Sequence, residues 1–108
     1  MANAKTRKAR AVPAGKIGIE NVIRPGRVRP VDAEMYTAMK RAYLKVLPAK
    51  PPGATIADVR SRLLAYLPET LYPGGAKAGW WAKAVQLDLE AKGLVARTRT
   101  TPLRLYKA

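Results

Sequence analysis

The stretch Trp80-Trp81-Ala82-Lys83-Ala84-Val85-Gln86-Leu87-Asp88-Leu89-Glu90-Ala91-Lys92-Gly93-Leu94-Val95 decides the fold. Its apolar residues recur at a helical period as far as Gly93, and beyond that glycine they alternate as in a strand. Extended back to Ala76, the pattern predicts a helix over Ala76–Lys92. Gly93 supplies the C-terminal cap, since glycine enters left-handed backbone without a Cβ penalty. At about 100° per residue, Trp80, Trp81, Ala84, Val85, Leu87 and Ala91 share one face, which favours both tryptophans as core over the alternative that they stack on bases. Gly79, Ala82, Lys83, Gln86 and Glu90 fall on the other, outward face. A glycine inside a helix costs about 1 kcal/mol against alanine, and close approach of a neighbouring helix would compensate Gly79.

Downstream, Leu94, Ala96 and Thr98 alternate with Val95, Arg97 and Arg99. A turn at Thr100-Thr101-Pro102 follows, and Leu103 and Leu105 then alternate with Arg104 and Tyr106. A basic hairpin therefore follows the helix directly. Upstream, Asp32 can cap a first helix in which Met35, Tyr36, Met39, Ala42, Tyr43, Val46 and Leu47 line one face until Pro48. Thr55 with Asp58 three positions on resembles a capping box. Ile56, Val59, Leu63 and Leu67 then stripe a second helix that Pro68 stops, so the 76–92 helix is the third. The expected core joins Met39, Val59, Leu63, Trp81, Val85, Leu89 and Leu105, with Tyr36, Tyr43 and Tyr66 packed at its rim. The fold class is mainly α with a small β-hairpin, α+β.

The 108-residue chain carries 21 Lys+Arg against 7 Asp+Glu, a formal charge of +14. Residues 1–31 hold eight basic side chains and one acid, while residues 32–108 hold thirteen and six, so each part carries half of the excess. Residues 1–15 read as a disordered basic arm, 16–31 as an extended connector with room for a short strand, and 32–108 as the folded domain. Within the connector, Arg24-Pro25-Gly26-Arg27-Val28-Arg29-Pro30 is similar to an AT-hook, although its order departs from the Gly-Arg-Pro core. Such a charge favours polyanions as partners.

With no Cys and no His, the sequence leaves no thiolate nucleophile, imidazole base or usual transition-metal ligand set. No acid pair stands out, and Gly74-Gly75-Ala76-Lys77 lacks the spacing of a phosphate-binding Walker loop. The expectation is a protein that is not an enzyme, with no catalytic residues, no metal and no cofactor. No apolar run reaches the length of a membrane span or a signal peptide, which predicts a cytoplasmic protein without membrane contact.

Three helices followed by a C-terminal hairpin resemble a winged helix-turn-helix domain, and Trp80–Val95 is similar to its third helix and first wing strand. The span Glu20–Lys107 also resembles a family of small basic bacterial proteins of unknown function, sharing Gly26-Arg27, Pro73–Gly75 and Gly79–Trp81. The winged-helix resemblance implies a nucleic-acid-binding protein, acting on duplex DNA with RNA as a variant, and associated with the nucleoid. Helix three would enter the major groove with Lys77, Lys83 and Gln86, and the wing would contribute Arg97, Arg99 and Arg104. Arg27, Arg29 and the arm would add phosphate contacts. Glu90 on the same outward face would repel phosphate. The alternative is a winged-helix protein-interaction module binding an acidic protein partner, without nucleic-acid function. Oligomeric state stays open.

Overall fold

Asp32 closes a strand and opens a helix, and that junction organises the first half of the fold. The computed structural model describes residues 14–108, so all but the last two residues of the 1–15 arm lie outside the described residues. Among the described residues the architecture is α+β, with three α-helices, a two-stranded antiparallel sheet and a three-stranded antiparallel sheet.

The 16–31 stretch, expected as an extended connector with room for a short strand, forms most of a hairpin. β1 (Lys16–Ile19) pairs with β2 (Arg29–Asp32), in a register running from Lys16↔Asp32 to Ile19↔Arg29. Gly18 faces Pro30 across this ribbon. A two-stranded ribbon leaves both outer edges unpaired, and an edge tolerates a proline that the interior of a larger sheet would reject. Ile19 and Val31 are buried beneath the ribbon and bind it to the core.

At the junction, the Asp32 carboxylate accepts a hydrogen bond from the Met35 N–H at 2.9 Å and starts α1 (Ala33–Val46). This helix buries Tyr36, Met39, Ala42 and Tyr43. β3 (Ala54–Thr55) follows, and the Thr55 hydroxyl accepts from the Asp58 N–H at 3.2 Å to open α2 (Ile56–Leu63). The predicted continuation to Leu67 is instead one 3-10 turn, Leu64–Tyr66. Pro68 clashes with helical backbone at the residue before it, and Leu67 is accordingly extended. Gly74, Gly75 and Lys77 all take positive φ, and the chain turns sharply through them into α3 (Ala78–Ala91).

β4 (Val95–Thr98) and β5 (Arg104–Lys107) form the expected hairpin. β5 lies centrally, because β3 pairs with its other edge through Ala54↔Leu105 and Thr55↔Arg104. That pairing depends on Gly53, where a Cβ would sit 2.1 Å from the Leu105 carbonyl oxygen. The seven expected core residues are all buried, and Tyr36, Tyr43 and Tyr72 are buried with them. Tyr66 departs from expectation, lying exposed on the 3-10 turn with the Lys45 ammonium 5.7 Å from its ring centre. Gly79 lacks the expected compensation, since a Cβ there would meet nothing within 4 Å.

Candidate nucleic-acid interface

Helix α3 is enclosed on more sides than its apolar period announces. Ala82 and Gln86, read as outward, are buried. The Tyr43 hydroxyl of α1 donates to the Ala82 carbonyl at 2.6 Å. Asp88, with no exposed surface, accepts from the Tyr36 hydroxyl at 2.5 Å and from the Glu20 N–H at 2.9 Å, and pairs with Lys92. The Val22 N–H donates to the Leu87 carbonyl at 3.3 Å. The loop after β1 is thus clamped to the C-terminal half of α3, while Gly79, Trp80 and Lys83 stay exposed on its first two turns.

Trp80 sits on that open side. Its neighbour Trp81 is 8% exposed, whereas Trp80 is 46% exposed and does not join the core. Adjacent residues on a helix point about 100° apart, and here Trp81 takes the inward direction while Trp80 is turned to the open side. The indoles meet edge to face, with centroids 5.1 Å apart and planes at 84°. The Arg29 guanidinium lies over the Trp80 ring at 5.0 Å from its centroid. Arg24, Arg27, Arg29, Trp80 and Lys83 line an open cleft of about 640 Å³ between the β1–β2 loop and α3. Glu20 is the single acid among its lining residues.

Arg27, Arg29 and Lys83 therefore come together, as the sequence alone could not show. Lys77, exposed, precedes Trp80 by three residues on α3. Arg99 is exposed just after β4 and lines a second hollow of about 360 Å³ with Val22, Ile23 and Arg97. Gln86 and Arg97 do not face outward as unengaged contacts. Gln86 donates to Glu90 at 2.9 Å, and Arg97 grips the same carboxylate through Nε at 2.5 Å and a terminal nitrogen at 2.8 Å. The Glu90 hydrogen bond raises the Arg97 pKa above its ordinary value. The repulsion expected of Glu90 is thereby cancelled within the protein. Arg104 is likewise engaged, donating to the Gly53 carbonyl at 3.1 Å beside β3. Sequence reasoning missed Arg24 and the exposure of Trp80. The signal for the second was the adjacency of the two tryptophans.

Replacing Arg97 with alanine should cost about 2 kcal/mol, because it strands a Glu90 side chain that is only 4% exposed. Urea unfolding of Arg97→Ala measures this, and adding Glu90→Gln should recover much of the loss. An Arg97→Ala protein as stable as the parent would contradict the ion pair.

Among the described residues no cluster of three or more His, Cys, Asp or Glu could hold a metal ion, and no helix is long and apolar enough to cross a membrane. No curated protein and no solved structure matches the chain. A family model described as a family of unknown function, DUF6958, matches residues 16–105, a span that takes in the β1–β2 hairpin, α1, α2, α3 and most of the β4–β5 hairpin. The chain belongs to the DUF6958 family.

Proposed function

We propose that the protein binds nucleic acid, duplex DNA in the first place, as a winged helix-turn-helix whose third helix and wing are supplemented by the β1–β2 loop. The order helix, short strand, helix, helix, hairpin supports the winged-helix reading, as does the pairing of the short strand with the second hairpin strand. The observation that carries the proposal is the cleft, in which Arg24, Arg27, Arg29 and Lys83 surround Trp80 against one acid. Recognition helices of this class use their N-terminal residues at base edges, and the N-terminal half of α3 is the half left open. With Gln86 buried, base-edge contact falls to Lys77 and Lys83. A protein of this kind acts without catalysis and resides with the nucleoid in the cytoplasm.

Arg24, Arg27, Arg29, Lys77, Lys83 and Arg99 make no ion pair among the described residues. Six such groups on phosphates give an expected slope of log K against log salt near −5. Titrations of a fluorescent duplex over a salt series check this. Deleting residues 1–15 should weaken binding to all sequences alike and flatten the slope further, since the arm can add charge contacts only. RNA duplexes and single strands belong in the same series.

A second reading has its own observation. Val22, Ile23, Val28 and Trp80 are exposed apolar side chains among these arginines, a composition that suits an acidic protein partner. A slope near zero, or no nucleic-acid binding at low salt, would favour that reading.

A further inference from the structure

We propose that the Trp80 cleft holds one unpaired base of a bound nucleic acid, stacked on the indole, with the adjoining phosphates on Arg24, Arg27 and Lys83. This rests on the nucleic-acid reading and specifies a second feature that the protein recognises besides the duplex. The indole is exposed, yet its plane is set by the edge-to-face contact with Trp81, which is itself buried. A fixed, accessible indole flanked by cations is the arrangement that single-strand binders use to stack bases irrespective of sequence. The flat guanidinium of Arg29 already occupies the ring face at 5.0 Å, in the place a base would take. A stacked base is worth more than an exposed cation–π contact, so a base can displace Arg29 and leave that charge for a phosphate.

Size and geometry agree with this. The cleft, at about 640 Å³, falls in the range of sites that enclose small ligands. Within a paired duplex the base faces are stacked on one another, and the grooves expose only edges. Trp80 can therefore engage a base only at a bulge, a frayed end or a single-stranded stretch, where the cost of extruding it is lowest. A lysine or arginine at position 80 would serve phosphate contact alone equally well. The aromatic ring calls for a planar, uncharged surface as the other half of the ligand.

Two hairpin DNA duplexes, identical except for one extra unpaired nucleotide in the stem, test the proposal. The parent protein should bind the bulged duplex about 5- to 150-fold more tightly than the paired one, the span of a single stacked base. Trp80→Ala should bring the two affinities together. Trp80→Phe should keep part of the preference, because a smaller ring still stacks. Tryptophan fluorescence should be quenched by the bulged duplex in the parent and not in Trp80→Phe, since Trp81 is buried. Equal affinity for the two duplexes, or a preference that survives Trp80→Ala, overturns the stacking site. If the paired duplex binds with its full salt dependence under either of those outcomes, only the stacking fails. If neither duplex binds, the nucleic-acid reading fails with it.

Discussion

Asp88→Ala should destabilise the protein by about 3–5 kcal/mol and also release the basic β1–β2 loop from α3. The carboxylate has no exposed surface and satisfies the Glu20 N–H, the Tyr36 hydroxyl and the Lys92 ammonium at once. Alanine leaves the Tyr36 hydroxyl buried without a partner, at about 1–3 kcal/mol, and takes the acceptor from the part-buried Glu20 N–H, which water can reach in part. Lys92 loses less, because its side chain is one-third exposed and water can solvate it. Asp88→Asn should cost less than alanine, since its carbonyl oxygen can still accept from Glu20 and its amide can donate to Tyr36. Urea unfolding of the two variants gives the ranking. An Asp88→Ala loss below about 1 kcal/mol would show that the buried network contributes little.

The functional consequence follows from where Asp88 sits. Glu20 begins the segment that carries Arg24 and Arg27 to the cleft, and its N–H is tied to a residue 68 positions away. Without that tie the hairpin keeps its register but loses one of its two polar anchors on α3, the other being Val22 to Leu87. Two-stranded ribbons are marginal on their own, and this one depends on what it packs against. Asp88→Ala should therefore weaken nucleic-acid binding although Asp88 is itself negative and its removal raises the net charge. A purely electrostatic account predicts the opposite sign, so the duplex titration separates anchoring from charge.

How much of this was legible in the sequence divides along the range of the interactions. Asp32 and Thr55 cap their helices through bonds that span three residues, and both were readable from residue type and spacing. The β4–β5 hairpin was readable from alternation, and the core from helical period. The β1–β2 ribbon was not, because Gly18 and Pro30 interrupt its strands and its support comes from Asp88 and Leu87. The outward face of α3 was misread at Ala82 and Gln86 for the same reason. A helical wheel assigns one apolar face, whereas this helix meets α1, the ribbon and the Glu90–Arg97 pair from different directions. The site was half legible. Arg27, Arg29 and Lys83 were identified as basic candidates, but only the ribbon's fold brings them around Trp80.

Alkaline pH should unfold the protein through three of its five tyrosines. Tyr36, Tyr43 and Tyr72 are all buried, and burial is the largest cause raising each hydroxyl well above the ordinary tyrosine value. At Tyr36 the hydrogen bond to Asp88 and its negative charge raise it further. At Tyr43 Arg60 lowers the value and Glu90 raises it, and at Tyr72 the Asp32 charge raises it. Each hydroxyl is also a hydrogen-bond donor in the fold, to Asp88, the Ala82 carbonyl and the Met35 carbonyl. The neutral form is thus the folded form. Below about pH 10 the tyrosines are neutral in both states, and their contribution is fully present. Above it the unfolded chain ionises first, and stability falls until the folded values are passed. Each tyrosine removes up to about 1.4 kcal/mol per pH unit, so three together remove about 4 kcal/mol per unit. A chain of this size has roughly 5–15 kcal/mol in hand, which places unfolding within a few units above pH 10. Tyrosinate absorbance and far-ultraviolet circular dichroism followed together should show the buried hydroxyls ionising in step with loss of helix. Tyr72→Phe should reduce the slope of stability against pH by about a third, even though it sacrifices the bond to Met35 at neutral pH. Ionisation of Tyr36, Tyr43 and Tyr72 at the ordinary tyrosine value, with helix content unchanged, would show that these hydroxyls are open to solvent and take no part in holding the fold.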